Sequence, residues 1–173
     1  MQERISNCVL QIIAESAGTR GEGAYLIAVK VTGKGSGRKI EVLMDSDIGI
    51  RIHQCAWFSR RIREKIEGDD ELLELFGENF DVMVSSPGLG EPILLPRQYI
   101  RHIGKLLSAK YIDMDGVQAE LRGHLQDVSL LEDGRSWIII MPEKNKKKVS
   151  QPTPESVTLY LDQVICAVPE AEL

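Results

Sequence analysis

Ser85 and Ser86 are adjacent hydroxyls at the end of an apolar stretch. A serine so placed is a nucleophile only if a base takes its proton. The sharp turn that exposes a nucleophilic serine carries glycine two residues before and two after it. Met83 and Val84 stand at the preceding positions, so the pattern fails. The three histidines, His53, His102 and His124, lie far apart, with neither HExxH nor any related spacing. Without a positioned base, both serines are read as inert, and the chain is expected not to be an enzyme. Cys8, Cys55 and Cys166 form no CxxC pair and no zinc spacing. Each sits in an apolar pattern, so they read as reduced core residues, and a reducing compartment, the cytoplasm, is expected. Gly33-Lys34-Gly35-Ser36-Gly37 invites a phosphate-loop reading. That loop needs a second glycine at the sixth position, where Arg38 stands, and a dinucleotide fingerprint needs a helix where a strand follows. A hairpin turn is the remaining reading. No cofactor and no metal is expected.

Cations offer binding rather than catalysis. Arg60, Arg61 and Lys65 lie on the polar face of an amphipathic stretch; they read either as a solvated face or as phosphate contacts. Lys144, Lys146, Lys147 and Lys148 form the densest cationic run, in a segment read as a loop, with RNA or ribosome contact as the functional reading. The net charge of -5 disfavours coating nucleic acid with the whole surface, yet permits a local basic patch and an acidic face for a basic partner.

The elements that must carry these residues follow from periodicity. Ile5, Cys8, Val9, Ile12 and Ile13 trace one helical face, with a stop near Gly18. Tyr25, Ile27, Val29 and Val31 alternate as a strand, and Ile40, Val42 and Met44 alternate again beyond the glycines, completing a hairpin. Ile52, Cys55, Ala56, Ser59, Ile62 and Ile66 predict a second helix, with Arg51 where a capping residue would help. The acidic stretch from Asp69 to Glu78, with leucines interleaved, is read as capping the domain. Phe80, Val82 and Val84 form a third strand, ending in a turn at Pro87-Gly88 where Gly88 is expected at positive φ.

Pro92 and Pro96 bracket a short extended piece, and the domain boundary is placed there, giving domains 1–92 and 93–173. Pro96 opens a short helix carrying Tyr99, Ile100 and Ile103, ending at Gly104. Strands then run Leu106 to Ile112, Val117 to Leu131 with a bend at Gly123, Trp137 to Met141, Val157 to Leu161 and Ile165 to Val168. Strands so short and so closely spaced predict a small closed or nearly closed barrel. No run of about 18 apolar residues exists to span a membrane, and Met1-Gln2-Glu3-Arg4 is no secretory signal.

The segment Phe80-Asp81-Val82-Met83-Val84-Ser85-Ser86-Pro87-Gly88-Leu89 resembles the strand and SSPGL turn of the ribosome maturation factor RimP family. Gly49-Ile50 to Cys55-Ala56 with Ser59-Arg60, Leu121-Arg122-Gly123-His124-Leu125, and Leu161-Asp162-Gln163-Val164 to Val168-Pro169-Glu170 are similar to further family segments in the same order. The resemblance implies an α+β chain: an N-terminal α/β domain with two helices on a three-stranded sheet, then an SH3-like or Sm-like small β-barrel. It implies a non-catalytic role in maturation of the small ribosomal subunit. The partners implied are ribosomal RNA and the basic small-subunit ribosomal protein numbered twelve, and the chain is expected to be monomeric. Ser85, Ser86, Pro87, Gly88 and Leu89 are candidate binding residues on that ground. Where the family usually continues Asp-Arg-Pro, this chain has Gly90-Glu91-Pro92. An Sm-like RNA-binding module working outside the ribosome is the alternative function.

Overall fold

The computed structural model describes residues 1–34, 37–143 and 155–172. Two compact units are formed, Met1–Pro87 and Gly88–Leu173, each with its own buried apolar cluster.

The first unit is a three-stranded sheet with helices. α1 (Gln2–Ala14) buries Ile5, Cys8, Val9 and Ile12, the face that the sequence spacing marks. β1 (Ala24–Thr32) and β2 (Arg38–Ser46) pair antiparallel as the expected hairpin, and β3 (Phe80–Ser85) pairs parallel to β2. β1 departs from strict alternation. The register slips between Leu26 and Ala28, so Ile27 is a bulge. The extra residue reverses the faces: Ala24 and Leu26 pack on the core ahead of it, and Val29 and Val31 after it.

α2 (Ile52–Glu67) is rotated from the expected face. Phe58, Ile62 and Ile66 are fully buried, whereas Ala56 is exposed and Ile52 is 90% exposed. Phe58 fills the i−4 position before Ile62, and its larger apolar area outweighs alanine's claim to the core. Gln54 supplies the missing cap: its Oε1 accepts from the Arg51 N–H at 3.0 Å. The acidic stretch adds a third helix to the two expected, α3 (Asp70–Phe76). Asp69 caps it, its carboxylate accepting from the N–H groups of Glu71 and Leu72, and Leu72 and Phe76 are buried.

In the second unit, a 3₁₀ turn (Pro96–His102) buries Gln98, Tyr99 and His102. The Gln98 carboxamide accepts from the N–H groups of Leu94 and Leu95 at 2.9 and 2.8 Å, fixing the approach to the turn. β4 (Leu106–Ile112), β5 (Gln118–Ser129), β6 (Trp137–Pro142), β7 (Val157–Tyr160) and β8 (Val164–Pro169) make one sheet in the order β7-β6-β5-β4-β8. A second 3₁₀ turn (Leu161–Gln163) separates β7 from β8. Gly123 is buried against β6; a Cβ there would lie 2.2 Å from the Met141 carbonyl oxygen. The β5–β6 register slips just beyond it, between Leu125 and Asp127.

The two compact units divide after Pro87. The Gly90 and Ile93 N–H groups donate to the carbonyls of Pro169 and Ala167, at 2.9 and 2.8 Å, and this ties the stretch to β8. The left-handed glycine after β3 is Gly90, at φ 84°, rather than Gly88.

Candidate nucleic-acid interface

The first unit carries an open groove of about 650 Å³ between the loop after α1 and the outer face of α2. Gly18, Thr19 and Arg20 line one side; Trp57, Arg60, Arg61 and Glu64 line the other. The loop is folded by its own polar groups. The Thr19 hydroxyl donates to the Ser16 carbonyl at 2.6 Å and accepts from the Gly21 N–H at 3.1 Å. Gly21 then passes over the Trp57 indole, where a Cβ would sit 2.5 Å from a ring carbon. Glycine is therefore what lets Arg20 reach the groove. Trp57 is half-buried, packed on the core and edge-on to Phe58 at 4.9 Å between centroids. The helical spacing of Trp57, Arg60, Arg61 and Glu64 puts all four on one face.

Arg60 and Arg61 thus come together, joined by Arg20. Lys65 does not line the groove; it is half-buried and near enough to Cys8 for its charge to act on that thiol. Arg61 donates to the Glu64 carboxylate at 3.0 Å, and its guanidinium lies 5.8 Å from the Trp57 ring centre. Both charged partners are more than half exposed, so the pair is weak, under about 1 kcal/mol. Among the described residues, no side-chain hydrogen bond or ion pair engages Arg20 or Arg60.

Ser85, Ser86, Gly88 and Leu89 are exposed and Pro87 is half-buried. Behind them, α2 holds β3 in place: the Ser59 hydroxyl donates to the Val82 carbonyl and Arg63 to the Phe80 carbonyl, each at 3.0 Å. Lys144, Lys146, Lys147 and Lys148 lie outside the described residues. Among the described residues, no group of three His, Cys, Asp or Glu side chains is placed to hold a metal, and no helix is long and apolar enough to cross a membrane.

The RimP N-terminal domain model matches residues 7–90, a span that includes the whole groove and the Ser85–Leu89 turn. Across its full length the chain is 72% identical to the whole of a protein named ribosome maturation factor RimP from Pelodictyon phaeoclathratiforme. It is 50% identical over 173 residues to the protein of that name from Chlorobium phaeovibrioides, again covering all of both chains. A more distant protein so named, from Cytophaga hutchinsonii, is 40% identical over 127 residues, covering 73% of this chain and 68% of its own. The chain belongs to the RimP family.

Outside the RimP N-terminal match, Arg135, Arg122 and Lys110 of the second unit are engaged at home. Arg135 forks onto Asp162 at 2.8 and 2.6 Å and stacks 3.9 Å over Tyr160. Arg122 bonds Glu170 at 2.7 Å and also Glu143, Ser108 bonds Glu170, and Lys110 meets Glu120 at 3.4 Å. The Arg135 and Ser108–Arg122 contacts hold the Asp162 and Glu170 carboxyls below the usual carboxylate range.

Arg20 and Trp57 escaped the sequence reading. Trp57 and Glu64 flank Arg60 and Arg61 at helical spacing, a signal available without coordinates. Arg20 had none, because its place depends on how the glycine loop closes over Trp57.

Proposed function

We propose that this chain is a maturation factor for the small ribosomal subunit. It acts in the cytoplasm as a monomer, binds the immature subunit and helps the basic ribosomal protein numbered twelve take its place, without catalysing a reaction. The observation that carries this is identity of 72% over the full length of a protein named for ribosome maturation. Binding falls to Arg60, Arg61 and Lys65, to the Ser85–Leu89 turn, and to Lys144, Lys146, Lys147 and Lys148. The two units serve as separate domains joined near residues 87–93. The second is an SH3-like barrel; the order β7-β6-β5-β4-β8 and the 3₁₀ turn between β7 and β8 support this.

Sedimentation tests the proposal. Cells lacking the protein should accumulate free small subunits with unprocessed RNA ends, and the protein should comigrate with free small subunits. Ser85→Ala and Ser86→Ala should restore maturation at least partly, since neither hydroxyl is asked to do chemistry. Binding to RNA with no preference for those subunits would favour the Sm-like module working elsewhere.

A further inference from the structure

We propose that the groove of Arg20, Trp57, Arg60 and Arg61 grips the phosphodiester backbone of RNA, and that Glu64 restrains this grip by holding Arg61. The inference deepens the maturation role and rests on it for the identity of the physiological RNA.

Charge is the first argument. Three guanidiniums against one carboxylate leave the groove at +2, in a chain whose net charge is -5. The groove is therefore a local positive site on an acidic molecule, which favours an anionic ligand there. Availability is the second. Lys110, Arg122 and Arg135 of the second unit are spent in ion pairs, whereas among the described residues no side-chain hydrogen bond or ion pair engages Arg20 or Arg60. Donor geometry is the third. A guanidinium presents paired N–H groups that match two phosphate oxygens, and unpaired guanidiniums on facing walls suit a ligand bearing successive phosphates. The groove is open along the surface and not a closed pocket, which suits a chain passing through it. Within a ribosomal particle the polyanion is RNA, and the proteins are the basic component.

Glu64 sets the sign of the test. Its carboxylate occupies Arg61 at 3.0 Å and would repel a phosphate in the same groove. Removing an acid from most binding surfaces does nothing or harm; here it should help.

The experiment uses the full chain and a short fluorescein-labelled RNA hairpin, titrated over a range of salt. Arg20→Gln and Arg60→Gln should each weaken binding about three- to tenfold. Each should also reduce the log–log salt slope by about 0.7–0.9, as loss of one phosphate contact requires. Glu64→Gln should tighten binding a few-fold, and Arg60→Lys should keep most of the slope while losing affinity. Both arginines are exposed, so thermal melts of these variants should match the parent and exclude unfolding. Unchanged slopes in both arginine variants, or weaker binding in Glu64→Gln, would overturn the proposal, as would a polyglutamate peptide competing as well as RNA of matched charge. Comigration of the parent with small subunits, together with unchanged hairpin binding in the variants, would remove the groove and leave the maturation role. Loss of comigration with the predicted slopes would do the reverse.

Discussion

Cys8 illustrates how burial decides chemistry at a single residue. Its thiol lies on the inner face of α1, and burial raises its pKa; Lys65 pulls it down and Asp69 and Glu15 push it up, by lesser amounts. Cys55 is raised as well, first by burial. The thiolate is the nucleophile, so both side chains are held in the unreactive form at neutral pH. Native protein at pH 7 should therefore react with iodoacetamide at Cys8 far more slowly than the denatured chain does, as mass spectrometry of timed samples will show. Equal rates would place Cys8 outside the core. The apolar spacing of Ile5, Cys8, Val9 and Ile12 made this burial legible in the sequence. The role of Arg20 was not legible, since a lone arginine between glycines acquires meaning only when the loop is closed over a tryptophan distant in sequence.

Among the elements, β5 depends most on one small residue. Gly123 lies where a Cβ would press on the Met141 carbonyl, and backbone cannot move aside as a side chain can. Gly123→Ala should cost about 1–3 kcal/mol, measured as a lower urea midpoint for the second unit with native-like far-UV dichroism in the absence of denaturant. An unchanged midpoint would mean that β5 and β6 do not approach as described. The strands of this sheet were readable to within a residue or two from alternation and turn residues. Elements of the first unit were harder in two places. The bulge at Ile27 reverses the faces of β1 without any mark in composition, because an extra residue is visible only against a partner strand. α2 carries two overlapping apolar stripes, and only packing shows that Phe58 outranks Ala56.

At the scale of the whole molecule, electrostatics is distributed unevenly between the units. In the second, Asp162 and Glu170 are held ionised by Arg135 and by Ser108 with Arg122. A carboxyl whose folded pKa lies below its unfolded value contributes stability above the unfolded pKa and loses it as pH falls through the folded one. The melting temperature of the parent should therefore fall as pH drops below the usual carboxylate range. Asp162→Asn with Glu170→Gln should flatten that dependence while lowering the plateau at neutral pH. Parallel curves for parent and variant would show that these contacts do not persist in solution. The compact units divide after Pro87, and the backbone bonds from Gly90 and Ile93 to β8 that tie the next stretch to the second unit are announced by no local pattern.

The two hydrogen bonds from α2 to β3 have a consequence beyond holding the strand. β3 is one of the two edge strands of its sheet, with β2 on one side only. Such a strand offers a free row of amides and carbonyls on which another chain can add itself, and repetition of that step is how folded proteins turn into fibrils. Ser59 and Arg63, one helical turn apart, occupy the carbonyls of Val82 and Phe80, two residues apart along the strand. The helix thereby takes up acceptors that an incoming strand would need. Two polar side chains of α2 thus shield part of this edge from strand addition.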